Sequence, residues 1–267
     1  MSENPLLVAV GEETQVSATA GIPQTLGAYP EEDGGSMPNL FDCLASTYHL
    51  QSILSGGLTE RWRRQMVARL PLQAGQKVVD LMTGTGELWT LLLPQVGENG
   101  RVRAVDFSAR MLAGAARHRD TLPNPERISL HAANACSSGL ASATADVVVS
   151  AFGLKTLPTT DYPALAAEIM RLLAPGGTVA LLELTVPARG WRRAFCLGYL
   201  RSCNYILRLL GGPILAHTHL LHFASEFSAL DKVASACRAA GLRHVRIEQL
   251  TFGLASILLA ERDEQYK

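Results

Sequence analysis

The arrangement of apolar and polar positions changes character along the chain. Residues 1–37 mix Gly, Pro, Ser, Thr and Glu without period and end in YPEEDGGSMP, which predicts a flexible acidic extension ahead of a folded domain spanning 38–267. Two helical patterns follow, through LFDCLASTYHLQSIL and LTERWRRQMVARL, the second stopped by Pro71. Beyond Pro71, apolar runs of strand length alternate with helical periods. The runs are QKVVDL (76–81), RVRAVD (101–106), RISLHAA (127–133), ADVVVSAF (145–152) and TVALLEL (178–184). Helices are expected from about Gly86, from Ser108 and through YPALAAEIMRLLA, the last ended by Pro175-Gly176-Gly177 acting as a glycine C-cap. This alternation predicts right-handed βαβ units and a parallel sheet covered by helices on both faces. After a mixed helical stretch at 189–240, HVRIEQL and LASILLAER are joined too tightly for a crossover, so the sheet ends in an antiparallel pair. The expected fold is α/β, a Rossmann-like seven-stranded mixed sheet, with residues 185–225 as an added helical cap.

Composition narrows the class. A chain of 267 residues that is 48% hydrophobic and 18% charged is neither disordered, collagenous nor a coiled coil. No apolar run approaches the roughly 18 residues of a membrane span. The N-terminus has neither the Arg-rich, acid-poor character of a mitochondrial presequence nor the positive start of a secretory signal, so a cytoplasmic location is expected. Five scattered cysteines without a CxxC pair argue against a disulfide framework and against a thiolate zinc site.

The zero net charge conceals an asymmetry. The first sixty residues hold eight acids and no Lys or Arg, leaving +8 on the remainder. Residues 184–225 carry Arg189, Arg192, Arg193, Arg201 and Arg208 and no acid, interleaved with Trp191, Phe195 and Tyr199. An apolar face with a basic rim suits a lid over a greasy ligand or a peripheral membrane contact through 189–210, and equally a helix that packs on the sheet with its arginines solvated. The acidic start is expected to dock over this basic segment by an attraction that salt weakens. Sparse aromatics and the lack of Lys speak against nucleic acid. A homodimer is compatible with this composition.

The first strand-to-helix turn, VVDLMTGTGEL at 78–88, carries the chemistry. Gly84 and Gly86 let backbone amides approach a ligand at a helix N-terminus, and Asp106, twenty residues after Gly86, can accept both hydroxyls of a ribose. A dinucleotide fingerprint needs a third glycine where Trp89 stands, and Asp80 and Glu87 would repel a pyrophosphate. The same two acids suit a ligand bearing an ammonium and a sulfonium, as S-adenosylmethionine does. A turn that is merely tight remains the alternative reading of the two glycines.

These residues, with VDFSARML at 105–112, AANA at 132–135, SAFGLK at 150–155, EIMRLLAPGGTVALLEL at 168–184 and AAGLRHVRIEQLTFG at 239–253, resemble class I methyltransferases of the UbiE/MenG type, the ubiquinone and menaquinone C-methyltransferases. The resemblance runs from about Leu40 to the end. It implies a seven-stranded methyltransferase fold and S-adenosylmethionine contacts at Asp80, Gly84, Thr85 and Gly86. It further implies ribose contact at Asp106, adenine contacts at Met111, Asn134 and Ala135, and a seat for the methionine part around Ser150 and Ala151. The chain departs from the family pattern at Lys155-Thr156, at Tyr48-His49 and at His217-Thr218-His219-Leu220, positions that line the family's substrate side.

Those departures point to a specialised relative acting on a small lipophilic, aromatic or quinone-like acceptor, with C-methylation favoured. Removing a hydroxyl proton makes a phenolic ring carbon nucleophilic, so His49, His217, His219 and His222 are candidate bases and Lys155 a candidate for the oxyanion. Each could instead be a packing or surface residue. The HTHLLH trio matches no standard zinc spacing, and no metal is expected. Two other readings use the same fold: a pericyclization with S-adenosylmethionine as a structural element, and a non-catalytic cofactor-binding subunit.

Overall fold

The computed structural model describes residues 55–210 and 230–264. The extension at 1–37, the helical pattern at 40–54 and the latter part of the 185–225 cap lie outside these residues, and so do His49, His217, His219 and His222.

The elements in chain order are α1 (Leu58–Val67), β1 (Lys77–Leu81), α2 (Trp89–Val96), β2 (Arg101–Asp106), α3 (Ala109–Thr121), β3 (Ile128–Ala132), β4 (Ala145–Ala151), α4 (Tyr162–Leu172), β5 (Leu173–Leu184), α5 (Gly190–Leu210), α6 (Leu230–Ala239), β6 (Arg243–Leu250) and β7 (Ala255–Glu261). The seven strands form one sheet in the order β3-β2-β1-β4-β5-β7-β6. β1 to β5 pair in parallel, and β7 runs antiparallel between β5 and β6. The order reverses between β1 and β2 on one side and β4 on the other, which opens a crevice at the carboxyl ends of the central strands.

Burial explains the strand sequences. The inner strands β1, β4 and β7 are covered on both faces and so read as nearly unbroken apolar runs. β6 is an edge and keeps Arg243, Arg246 and Glu248 on it, the charged composition that discourages further pairing. One core layer joins the sheet to α1 and α2 through Trp62, Met66, Trp89 and Leu92. The other joins it to α4 and α6 through Leu165, Ile169, Val233 and Cys237.

One expectation is corrected. α4 ends at Leu172, and Pro175-Gly176-Gly177 lies inside β5 rather than capping the helix. Leu173 is already extended and pairs with Ala145, after which the register shifts to Val147 opposite Thr178. The three residues loop out as a bulge with Gly176 at φ 75°. They stay in the sheet because the chain beyond β7 supplies their partners: Gly176 N–H donates to Arg262 O at 3.1 Å, and Arg262 N–H donates to Gly177 O at 2.8 Å.

The described part of the cap is helical. α5 inserts Cys196 and Leu200 into the first core layer, and the Tyr199 hydroxyl donates to Ser55 O at 3.1 Å. Its outer side exposes Trp191, Phe195, Tyr205 and Ile206. Trp191 and Phe195 pack against Phe252 of the β6–β7 connection, at 5.6 and 5.7 Å between ring centroids. Among the described residues, no helix is long and apolar enough to cross a membrane.

Candidate active site

The turn after β1 is built to bring backbone close to a ligand. Met82, Gly84 and Gly86 all have positive φ, at 55°, 58° and 87°. For Met82, a residue with a side chain, this conformation is strained. A methyl at Gly86 would lie 2.5 Å from the Trp89 ring, so this glycine is required both by its backbone and by the indole beneath it. Trp89, the residue that argued against a dinucleotide site, therefore occupies the floor of the turn.

Asp80 lies at the centre of this floor. Its Oδ2 accepts from the Thr83 hydroxyl at 2.5 Å and from Trp89 Nε1–H at 3.1 Å, while its buried Oδ1 has no hydrogen-bond partner. Burial pushes its pKa from 3.8 up to about 7; the two hydrogen bonds oppose this shift, and the nearby charges of Glu87 and Asp106 add to it. The indole is held by a second ring. His118 stacks on Trp89 with centroids 5.6 Å apart and planes at 8°, and its Nδ1 faces Thr85 O at 3.0 Å, which requires a proton on that nitrogen.

Asp106 ends β2 and ties the neighbouring turns together. Its Oδ2 accepts from Gly84 N–H at 2.8 Å and its Oδ1 from Ser108 N–H at 2.9 Å. Ser108 caps α3 by accepting from Met111 N–H. Burial raises the Asp106 pKa, with these backbone donors opposing the rise. The Phe107 N–H is a third backbone donor to this carboxylate, whose two oxygens offer about four lone-pair sites and so keep room for an incoming hydroxyl.

A small cleft, with a cavity volume of about 40 Å³, lies at this edge of the sheet. It is lined by Gly84, Asp106, Met111 and Ala151 together with Met82, Phe152 and Gly153. Four of the ten expected donor-side residues thus meet in one wall. Asp80 and Gly86 lie beneath it, and the Thr85 hydroxyl donates to Glu87. Asn134 is exposed, with its amide oxygen accepting from Cys136 N–H at 2.9 Å, and Ala135 next to it is buried. Ser150 is fully buried with no partner for its hydroxyl. A second groove, lined by Ser142, Ala143, Met170, Arg171 and Arg262, opens at the amino ends of the strands, the edge where such sheets do not bind their ligands.

Beyond Ala151 the wall changes in character. Phe152 takes a left-handed conformation, φ 64°, secured by its N–H donating to Leu182 O at 2.8 Å. Lys155 is buried: its ammonium donates to Glu183 Oε1 at 3.1 Å and to Phe152 O at 2.7 Å. Its backbone N–H donates to the other Glu183 oxygen at 3.2 Å, so the lysine charge expected to face an oxyanion is already neutralised. Two cations flank the Phe152 ring, Arg63 Cζ at 5.3 Å and Lys155 Nζ at 5.6 Å from its centroid. Trp62 packs on the same ring at 6.4 Å and donates to Thr251 at 2.8 Å, which anchors α1 across this end of the sheet.

Sequence reading missed Arg63, Thr83, Ser108, Phe152 and Glu183 as parts of this region. Glu183 was the most visible, as the one acid inside the apolar run TVALLEL. A buried acid in a central strand needs a cationic partner, and Lys155 just past the end of the adjacent strand is placed to supply it.

Comparison with known proteins agrees with this geometry. The model of the ubiE/COQ5 methyltransferase family matches residues 31–262. The chain belongs to this family. Membership makes it an S-adenosylmethionine-dependent methyltransferase. Among its relatives, the demethylmenaquinone methyltransferase of Bacillus mycoides (strain KBAB4) is 30% identical over 85% of this chain and 95% of the relative. That of Bacillus cereus (strain ATCC 10987 / NRS 248) is also 30% identical, over the same shares. Solved structures share the fold at lower identity. A putative S-adenosyl-L-methionine-dependent methyltransferase from Methanococcus maripaludis matches with TM-score 0.61 at 16% identity, covering 90% of this chain and 99% of that one. A SAM-dependent methyltransferase from Aquifex aeolicus matches with TM-score 0.56 at 19% identity, covering 85% and 99%.

Proposed function

We propose that this ubiE/COQ5 family member methylates a ring carbon of a small lipophilic hydroquinone. The observation that carries the acceptor class is the end-to-end similarity to Bacillus demethylmenaquinone methyltransferases. S-adenosylmethionine, when bound, supplies a sulfonium methyl, so a bond from the acceptor carbon forms as the sulfur–carbon bond breaks and the ring proton leaves. The donor side fits that ligand. Asp80 offers a buried oxygen with no partner among the described residues to an ammonium group, and Asp106 keeps acceptor capacity for a ribose hydroxyl. Gly84, Thr85 and Gly86 present the turn backbone, Met111, Asn134 and Ala135 flank the adenine, and Ser150 and Ala151 underlie the methionine part.

On the acceptor side the chain must exclude water, hold the ring carbon in line, and take the hydroxyl proton. His49, His217 and His219 are the proposed bases. Lys155, engaged by Glu183, positions the Phe152 turn rather than meeting the acceptor. The exposed Trp191 and Phe195, with Arg192 beside the Trp191 ring, suit a peripheral contact with anionic lipid, from which a lipophilic acceptor could enter. The test is to incubate the purified protein with S-adenosylmethionine and a short-chain demethylmenaquinol and to weigh the product. Gain of one methyl on carbon is expected. An acceptor of unchanged mass would overturn the reading, and an O-methyl ether would correct the atom methylated.

A further inference from the structure

Among the described residues, the cation at this site with the more distant anionic partner is Arg63. It lies on the inner side of α1 with its side chain 5% exposed, and its nearest carboxylate is Glu60 Oε2 at 3.9 Å, beyond hydrogen-bond distance. Glu60 is also engaged elsewhere, because its Oε1 accepts from Arg64 Nε–H at 3.1 Å and its side chain is 29% exposed. Among the described residues no acceptor takes a hydrogen bond from the Arg63 guanidinium. The other cation here, Lys155, is neutralised by Glu183. The remaining compensation for Arg63 is the face of Phe152, whose ring also lines the donor cleft. A quadrupole and a carboxylate 3.9 Å away offset only part of the cost of burying a guanidinium, and among the described residues its N–H donors meet no hydrogen-bond acceptor. A buried guanidinium so loosely paired, beside a ring that lines a ligand cleft, is suited to taking up an anion.

We propose that Arg63 binds the ionised hydroxyl of the acceptor and holds it as the oxyanion. This rests on the acceptor reading above. A hydroquinone monoanion is the species whose ring carbon attacks a methyl group. A guanidinium stabilises that anion by a charge-assisted hydrogen bond and therefore lowers the pH at which the hydroxyl ionises. The charged groups that face Arg63 are Glu60 on its own helix, Lys155 just past β4 and, through Lys155, Glu183 on β5. Lys155 and Glu183 cancel, and Glu60 is partly solvated, so Arg63 dominates the local field. The arrangement also gives the strained Phe152 a purpose: its left-handed backbone holds the ring between the guanidinium and the cleft it lines.

The test uses the full-length protein and its Arg63→Gln and Arg63→Lys variants, with S-adenosylhomocysteine affinity as the control because Arg63 takes no part in donor binding. With demethylmenaquinol as acceptor, Arg63→Gln is expected to lower kcat/KM roughly 10- to 100-fold at neutral pH. It should also move the acid limb of the pH profile upward by about one unit, with donor affinity unchanged. Arg63→Lys, or Arg63→Ala with added guanidinium, should restore the limb in part, and the Lys variant serves if the Gln variant does not fold. A rate loss without movement of the limb, or no loss at all, overturns the inference. A chromogenic phenol, 4-nitro-1-naphthol, separates this inference from the acceptor reading. Bound to the protein with S-adenosylhomocysteine, its phenolate band should appear at lower pH in the unsubstituted protein than in the Arg63→Gln variant. If the band shifts and no quinol is turned over, the acceptor reading fails and Arg63 as an anion site stands. If quinol is methylated and the band does not shift, Arg63 is refuted alone.

Discussion

The donor cleft and the region behind its Phe152 wall are built in opposite ways. The donor side comes from short, contiguous segments, in which one turn at 82–86 and the ends of two adjacent strands supply Asp80, Gly84, Gly86 and Asp106, cross-linked by hydrogen bonds through Thr83, Trp89 and the Gly84 amide. The region around Phe152, proposed as the acceptor side, is assembled from residues remote in sequence. Arg63 and Phe152 meet from α1 and the end of β4, Lys155 and Glu183 from the end of β4 and from β5, and Trp62 and Thr251 from nearly opposite ends of the described chain. The donor side holds carboxylates with unused acceptor capacity, and the proposed acceptor side holds buried cations, Lys155 closely paired and Arg63 only distantly. A shared methyl donor calls for the first arrangement, and the second is the one proposed to discriminate among acceptors.

The largest effect that would test this contrast is at Glu183. Replacing it with Gln leaves the Lys155 ammonium buried without a counter-charge, and unfolding by denaturant should show a loss of roughly 3–5 kcal/mol. The double variant Lys155→Met/Glu183→Leu should recover most of that loss. Donor affinity of the folded fraction should be unchanged in both, and a matching loss of donor affinity would mean that the two sides are not separable. Next in size is Gly86→Ala. The added methyl meets Trp89 at 2.5 Å in a left-handed backbone, so about 1–3 kcal/mol of S-adenosylhomocysteine binding should disappear by calorimetry.

Asp80 provides a pH-dependent test. Its folded-state pKa of about 7 lies above the ordinary value of 3.8, so between these the folded protein holds a proton that the unfolded chain has released. This group therefore lowers stability as pH rises from about 4 to 7. Affinity for the ammonium-bearing donor should show the reverse trend, falling up to about tenfold per unit as pH drops below 7, because the protonated acid no longer pairs with the ammonium. Asp80→Asn should flatten both curves. The smallest expected effect is that of Trp89→Phe, which keeps a ring under Gly86 and loses the hydrogen bond to Asp80. Donor binding should weaken by about 1 kcal/mol, and its midpoint should move to higher pH. A midpoint that stays in place would remove the indole from the account of Asp80.

The degree to which each side could be read from sequence follows from this construction. The strand and helix pattern, the antiparallel closing pair and the glycine turn were all legible, because apolar periodicity and left-handed turns are local properties. The Pro175-Gly176-Gly177 segment looked like a helix cap and proved to be a bulge, since the groups that satisfy its backbone come from Arg262, far along the chain. Lys155 looked like a free cation at a strand end because its partner, Glu183, was read as part of an apolar strand.

Local chemistry was enough to set the succession of strands and helices, the turn at Gly84 and Gly86, and the spacing that brings Asp106 beside it, since each depends on steric limits within a few residues or on the length of one crossover. Which charges are spent and which are left over was decided later, by packing across the sheet. Neutralisation of Lys155 by Glu183 and the placing of the loosely paired Arg63 over Phe152 join segments far apart in the chain, and burial sets their energy only after the chain has closed.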